Sequence, residues 1–239
     1  MSISILGLLL IFMFLMALLT IPRYYYKRAK KTTKETPALY AELYDAIHFK
    51  KEQFEEEMAE LSAKEEDYVL DVGCGTGNRV GKVENAVGID ISPAMVAVAK
   101  KKYPTKTFLV GDVLRKDTFA NETFTDVWCL GNTLYCLPSK HKFLQNAHHW
   151  LDSNGRLVLQ MLNRDELCVP TNYQRSFKYD KKQYGNTCRE RVSFHDQKAV
   201  VETTFHMISK TRLITMAERV GFKLEKTKKN LYFFVKSSV

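Results

Sequence analysis

The chain has 239 residues, of which 45% are hydrophobic, 26% charged and 12% aromatic, with a formal net charge of +9. That composition excludes two large domains and obligatory disorder, and leaves one substantial globular unit able to bury a core. The five cysteines (Cys74, Cys129, Cys136, Cys168 and Cys188) form no CxxC pair and no metal-ligand cluster, so free thiols in a reducing compartment and no bound metal are expected. A Cys168–Cys188 pair is open, although nothing in the spacing asks for it.

The first element is apolar. Residues 3–21 carry no charged side chain and read almost wholly as Leu, Ile, Met and Phe. As a helix, about 19 residues rising roughly 1.5 Å each span nearly 30 Å, the thickness of a bilayer core. The rival is a cleaved signal peptide, but a basic n-region and a small-x-small cleavage site are both lacking. Residues 1–22 are therefore expected to form a transmembrane anchor, followed by Tyr24, Tyr25 and Tyr26 at the headgroup layer.

Arg23, Lys27, Arg28, Lys30, Lys31 and Lys34 make residues 23–35 a basic linker. Positive charge flanks only the C-terminal side of the apolar run, which predicts a single-pass protein with its folded domain in the cytoplasm. The linker then contacts anionic lipid. Most of the basic excess is read as membrane topology, with nucleic-acid contact as the lesser reading.

Residues 36–239 read as an α/β domain. Thr36 and Pro37 can open a helix with Leu39, Tyr40, Leu43, Tyr44 and Ile47 at helical spacing. A second helical stretch carries Phe54, Met58 and Leu61. Strands are expected at Tyr68–Val72, Ala86–Ile91, Thr107–Val110, Thr125–Leu130 and Arg156–Leu162, with helices near Asn78–Val83, Pro93–Lys102 and Lys140–Leu151. The alternation implies a Rossmann-like, mostly parallel sheet with helices on both faces. Arg175–Tyr179, Cys188–His195 and Ala199–His206 suggest an antiparallel insertion after the fifth strand, before a helix at Thr211–Val220 and a closing hairpin of Phe222–Lys226 and Leu231–Val235.

The most informative stretch is VLDVGCGTGN, Val69 to Asn78. A buried strand ends in Asp71, and Gly73, Gly75 and Gly77 then turn the chain so that a ligand can lie against backbone. A dinucleotide GxGxxG would need glycine where Asn78 stands, and Asp71 lies where it can meet an ammonium group. VGIDIS puts Asp90 at the end of the second strand, where a carboxylate can accept two ribose hydroxyls. FLVGDV puts Asp112 and the Val113 N–H at the same sheet edge, suited to the adenine amino group and a ring nitrogen.

These three segments resemble the first three motifs of class I S-adenosylmethionine-dependent methyltransferases, well over residues 36–163 and in outline beyond. The resemblance implies a seven-stranded sheet with its last strand antiparallel and S-adenosyl-L-methionine as cofactor. It implies Gly73, Gly75 and Gly77 around the methionine part, Asp90 at the ribose and Asp112 at the adenine, with Asp71, Cys74, Ile91 and Val113 among the further cofactor-binding candidates. Only 18 residues separate Asp71 from Asp90, fewer than usual, so the first helix should be about one turn short. LGNTLYCLP, Leu130 to Pro138, resembles the loop of small-molecule methyltransferases, which puts Leu130, Gly131, Asn132 and Tyr135 beside the sulfonium, with Asn132 and Tyr135 as candidate catalytic residues. Tyr40 and Tyr44 can close over the cofactor as a lid.

No clear general base is visible: His141, His148, His149, His195 and His206 are candidates by type alone. The expected reaction is methyl transfer to a small-molecule or lipid-like acceptor at a membrane. RNA or protein methylation is the second reading, without an NPPY-type tetrapeptide at Gly131–Leu134, and a catalytically silent cofactor-binding module is the third.

Overall fold

The computed structural model describes residues 36–162, 177–194 and 199–237. The expected anchor (residues 1–22) and basic linker (residues 23–35) lie outside the described residues, as do Cys168 and His195. Among the described residues, no helix is long and apolar enough to cross a membrane.

Two helices open the domain, α1 (Thr36–His48) and α2 (Lys51–Leu61). The alternating core follows as β1 (Val69–Val72), β2 (Ala86–Asp90), α3 (Pro93–Lys102), β3 (Thr107–Val110), β4 (Phe124–Cys129), α4 (Thr133–Cys136), α5 (Lys140–Trp150) and β5 (Leu151–Gln160). Three strands form the insertion, β6 (Phe177–Tyr184), β7 (Thr187–Phe194) and β8 (Ala199–His206). Helix α6 (Lys210–Val220) and the hairpin β9 (Phe222–Lys228) and β10 (Leu231–Lys236) end the chain.

The main sheet has seven strands in the order β3-β2-β1-β4-β5-β10-β9. Strands β1 to β5 pair in parallel, and β10 enters antiparallel between β5 and β9. Chain order reverses between β1 and β4, and ligands in open α/β sheets settle outside the carboxyl ends at such a switch point.

Strand alternation divides the core between the two faces. Leu70, Val72, Val127 and Leu157 pack with Phe143, Leu144 and Trp150 of α5 and Leu213 of α6. Val69, Trp128, Val158 and Phe233 pack with Leu61 of α2 and Val96 and Ala99 of α3. Serine caps start three helices: Ser92, Ser139 and Ser209 accept hydrogen bonds from the N–H groups of Met95, Lys142 and Arg212.

Three expectations change. The helix near Asn78–Val83 is a single 3-10 turn at Val80–Lys82, because six residues make few helical hydrogen bonds and the Tyr103 ring packs against Gly81. Strand β5 begins at Leu151 rather than Arg156, and its pairing with β4 shifts register between Phe124 and Asp126. Asn154, at φ 68, lies within this longer β5. The one-turn helix α4 is new, four residues inside a segment expected to be loop.

The insertion is a separate antiparallel sheet, ordered β6-β7-β8. Val192, Phe194 and Val201 pack against Leu39, Leu43 and Ile47 of α1. At its other end Cys188 and Phe205 cover Tyr135 of α4. The insertion therefore bridges the two elements that flank the carboxyl edge of the main sheet.

Candidate functional site

Strand β1 is buried at all four residues and delivers Asp71 to its carboxyl end. The N–H groups of Gly73 and Cys74 both donate to the Ile89 carbonyl, at 2.7 and 3.1 Å, which holds the glycine turn against β2. The three glycines then serve different ends. A Cβ on Gly73 would lie 2.3 Å from Thr133 Oγ1, and one on Gly77 2.7 Å from the Phe108 ring, so both permit close packing. Only at Gly75 is there room in front of the backbone, where the nearest atom to a Cβ is Tyr44 Cε1 at 3.8 Å. Gly77 thus packs its Cα side against the Phe108 ring, which leaves its backbone in the turn.

Asp71 is 1% exposed, and among the described residues neither of its carboxylate oxygens has a hydrogen-bond partner. Burial pushes its carboxyl up to about 7; nearby Arg79 opposes this, while Glu57 and Asp90 add to it. Arg79 is committed to Glu57 at 2.7 Å. A buried carboxylate without a hydrogen-bond donor costs several kcal/mol in effective desolvation (order of magnitude), and a cationic ligand group offsets that cost.

Asp90 is organised by backbone. Its Oδ2 accepts from the Gly75 N–H at 2.9 Å and its Oδ1 from the Ser92 N–H at 2.8 Å. One carboxylate therefore joins the glycine turn to the cap of α3, and each oxygen keeps a further lone pair for a ligand hydroxyl. The Gly111 N–H donates to the Asp90 carbonyl at 3.0 Å, which brings the end of β3 alongside. There Asp112 accepts from the Leu114 N–H at 2.9 Å, and the Val113 carbonyl accepts from buried Asn146. Beside this edge Ile91 is 72% and Val110 53% exposed, apolar surface where an aromatic base can lie.

The β4 side is less open than expected. Leu130 is buried beside Cys74 and Trp128. The Cys74 thiol, raised by burial, faces this packing, so only its backbone is available at the turn. Gly131 donates to Gln160 Oε1 at 2.6 Å and has nothing within 4 Å of a Cβ position. Asn132 precedes α4, and its carbonyl accepts from the Tyr135 and Cys136 N–H groups. Tyr135 is 1% exposed; its hydroxyl donates to the Leu162 carbonyl at 3.2 Å and accepts from the Leu162 N–H at 2.8 Å. That geometry makes Tyr135 a positioning residue, in place of the expected contact with reacting atoms.

Helix α1 lies against the glycine turn, through Tyr44 at Gly75 and Asp45 at Thr76. Tyr40 and Tyr44 meet edge to face at 5.7 Å, and the Tyr44 hydroxyl is raised first by burial and then by Glu190. Asp45, unremarkable in the sequence, fastens the helix to the turn by accepting from Thr76 Oγ1 at 2.6 Å, Asn78 Nδ2 at 3.0 Å and Lys102 Nζ at 2.6 Å. Burial would raise the Asp45 carboxyl, but the hydrogen bonds and charge of Lys102, with Thr76 and Asn78, hold it below the ordinary value. The helical spacing that singled out Tyr44 puts Asp45 on the neighbouring flank, and only the folded turn reveals its partners.

The histidines singled out by type do not gather here. His141 and His206 are exposed, and His148 lies against Gly221 and the Phe222 ring, 5.3 Å away. His149 sits beside it on α5. His48, passed over in the sequence, lies 4.5 Å from the Tyr44 ring, tilted by 42° to it.

Residues 70–159 match the family model described as "Methyltransferase domain". The chain is 40% identical over 81 residues to Uncharacterized protein MJ1252 of Methanocaldococcus jannaschii, covering 33% of this chain and 32% of that one. It is 29% identical over 134 residues to trans-aconitate 2-methyltransferase of Escherichia coli, covering 52% and 50%. The chain thus spans no more than about half the length of either curated relative. An S-adenosylmethionine-dependent methyltransferase from Clostridium acetobutylicum shares the fold, with TM-score 0.64, 14% identity, and 84% and 97% of the two chains covered.

The donor set fits S-adenosyl-L-methionine on structural grounds: a partnerless buried carboxylate for its ammonium, open space at Gly75, Asp90 for its sugar and an apolar shelf for its base. Residues 70–159 thus form a methyltransferase domain, on the fold shared with S-adenosylmethionine-dependent methyltransferases.

Proposed function

We propose that this chain transfers the methyl group of S-adenosylmethionine to a small-molecule or lipid-like acceptor at a membrane surface. The observation that carries the reading is the buried Asp71 carboxylate, without a hydrogen-bond donor, at the carboxyl edge that also presents Gly75, Asp90 and Asp112. In this reading Asp71 and the Gly73–Gly77 turn hold the methionine end, Asp90 and Ile91 the ribose, and Asp112 and Val113 the adenine. Tyr44, with Tyr40 behind it, covers the turn, and Leu130 to Asn132 form the wall toward the acceptor. The cofactor supplies an already activated methyl carbon. The protein's work is to align the acceptor, exclude water and remove a proton where the acceptor has one to lose.

The trans-aconitate relative supports a small acceptor. The membrane part rests on sequence: residues 1–22 as anchor, residues 23–35 as basic linker and residues 36–239 as the domain, with positive charge inside and the domain in the cytoplasm. Tethering raises the effective concentration of a membrane-bound acceptor.

The test is a labelled-methyl assay of the full chain against separated lipid, metabolite, RNA and protein extracts. Label in the lipid or metabolite fraction is expected. Label confined to RNA or protein overturns the acceptor class, and cofactor binding without label in any fraction overturns the transfer reading.

A further inference from the structure

Helix α2 carries three consecutive acids, and they do not share one task. Glu55 pairs with Lys82 and Glu56 with Lys229 at the surface. Glu57 turns inward, with its side chain 13% exposed. It stands four positions before Leu61 and so shares that residue's helix face, which packs with Val158 of β5. Strand alternation puts Gln160 on the same face of β5 as Val158. There Gln160 Nε2 donates to Glu57 Oε2 at 3.2 Å and to Asn230 Oδ1 at 3.3 Å. Glu57 Oε1 accepts from Arg79 Nε at 2.7 Å. Gln160 Oε1 accepts from the Gly131 N–H at 2.6 Å.

A carboxylate only accepts hydrogen bonds and a backbone N–H only donates, so the Gln160 amide between them has one orientation that satisfies both. Arg79 holds the carboxylate that sets this orientation, through a charge-assisted bond. The hydrogen-bonded series Arg79–Glu57–Gln160–Gly131 therefore runs from the end of the glycine turn to the turn after β4. The two turns also meet directly, where Thr133 Oγ1 donates to the Gly73 carbonyl at 3.5 Å. Strands β1 and β4 pair up to Val72 and Cys129, which puts Gly131 beside the carboxyl end of β1. At a left-handed φ of 62, Gly131 has nothing within 4 Å of a Cβ position and faces open space. A turn bordered by open space takes its place from what holds its backbone, and Gln160 holds this one.

We propose that Glu57 and Gln160 are positioning residues for methyl transfer: Glu57 orients the Gln160 amide, and that amide fixes the Gly131–Asn132 turn against which the acceptor is aligned. The inference rests on the transfer reading above, in which Leu130 to Asn132 form the acceptor wall. In the step, a lone pair of the acceptor forms its bond to the methyl carbon as the carbon–sulfur bond breaks and its electron pair goes to sulfur. The acceptor must lie in line with the breaking bond, so a wall that drifts costs rate. Both residues act through the Gly131 backbone, and the contacts of Gly75 and Asp90 do not pass through them.

The experiment uses the full chain with isotope-labelled glycine and follows hydrogen exchange of the Gly131 amide by NMR. The Gly73 amide, bonded to the Ile89 carbonyl, is the internal reference. Transfer of labelled methyl to polar-metabolite and lipid extracts, and cofactor affinity by calorimetry, are measured on the same proteins. Gln160→Met removes the acceptor of the Gly131 N–H. It should speed Gly131 exchange relative to Gly73, and slow transfer, by about 10-fold or more each, with cofactor affinity changed by less than about 3-fold. Glu57→Gln lets the Gln160 amide turn over and should move exchange and transfer the same way by a smaller factor. Adding Asn230→Asp to Glu57→Gln gives Gln160 Nε2 an acceptor-only partner again and should restore both, a rescue that a merely structural role would not give. Should Gln160→Met fail to fold, Glu57→Gln and its rescue carry the test. Wild-type Gly131 exchange in the single variants, faster exchange with wild-type transfer, or no rescue overturns the proposal while leaving the transfer reading intact. Cofactor binding by the wild-type chain with no label in any pool removes the transfer reading first and this inference with it.

Discussion

The two ends of the crevice are built by different means. The cofactor end is made of backbone: the glycine turn bonded to Ile89, the Asp90 carboxylate accepting from Gly75 and Ser92, and Asp112 accepting from Leu114. The contacts of Gly73, Cys74 and Gly75 join the end of β1 to that of β2, and those of Ser92 and Leu114 each close a turn within one loop, so short segments of chain determine it. The side beneath the insertion sheet is made of side chains from α1, α4 and that sheet, residues as far apart in the chain as Leu39 and Val201. Chemistry shared by a family can reside in the first construction, and choice of acceptor can vary in the second without disturbing it.

The comparison breaks most visibly at Asp71. Its folded carboxyl is raised to about 7, so the folded chain holds a proton that the unfolded chain has lost. The associated stability is present below the ordinary carboxylate range and is lost as pH rises toward 7, by roughly 3–5 kcal/mol. Asp71→Asn should flatten this slope in denaturant titrations at several pH values, raise stability at neutral pH and weaken cofactor binding. A variant that loses stability and binding together makes Asp71 a structural residue.

Next, two glycines of one motif should part company. Gly77→Ala drives a Cβ into Phe108 at a left-handed φ of 82 and should cost about 1–3 kcal/mol of folding stability in urea melts. Gly75→Ala, with open space before it, should cost about 1 kcal/mol in backbone strain and lose most of its effect in cofactor affinity. Equal stability losses at both sites would remove the distinction between a packing glycine and a ligand-facing one.

A smaller effect belongs to the side beneath the insertion sheet. Tyr135→Phe removes the hydroxyl that serves Leu162 and should destabilise by about 1–2 kcal/mol, with no change in cofactor affinity by calorimetry. Smallest is the fastening of α1. Asp45 is held low, so its contribution is present above the ordinary carboxylate range and lost as pH falls through its lowered value. With its side chain 30% exposed and solvent screening the Lys102 pair, Asp45→Ala should cost about 1 kcal/mol of stability, and cofactor release should speed up in stopped-flow.

This asymmetry explains what was legible in the sequence. The ends of β1 and β3 and the helix from Pro93 to Lys102 follow from local pattern and stand where their residues predict, while β2, β4 and β5 end one or two residues early. The helix at Asn78–Val83 was not legible, because its loss depends on Tyr103 packing from across α3. Tyr135 reads as a candidate at the reacting centre until the insertion folds over it and Leu162 takes its hydroxyl. Asp45 and Glu57 carry no motif; their meaning comes from neighbours that only the tertiary fold supplies.

The central claim is that one crevice, floored by the Asp71 carboxylate and the Gly75 turn, holds S-adenosylmethionine. Calorimetric titration of the full chain near pH 6, in two buffers of different ionisation enthalpy, tests it most directly. The account predicts single-site binding with proton release from Asp71, release that Asp71→Asn abolishes while affinity drops. Absence of binding by the folded chain, or the same proton release in Asp71→Asn, would contradict it.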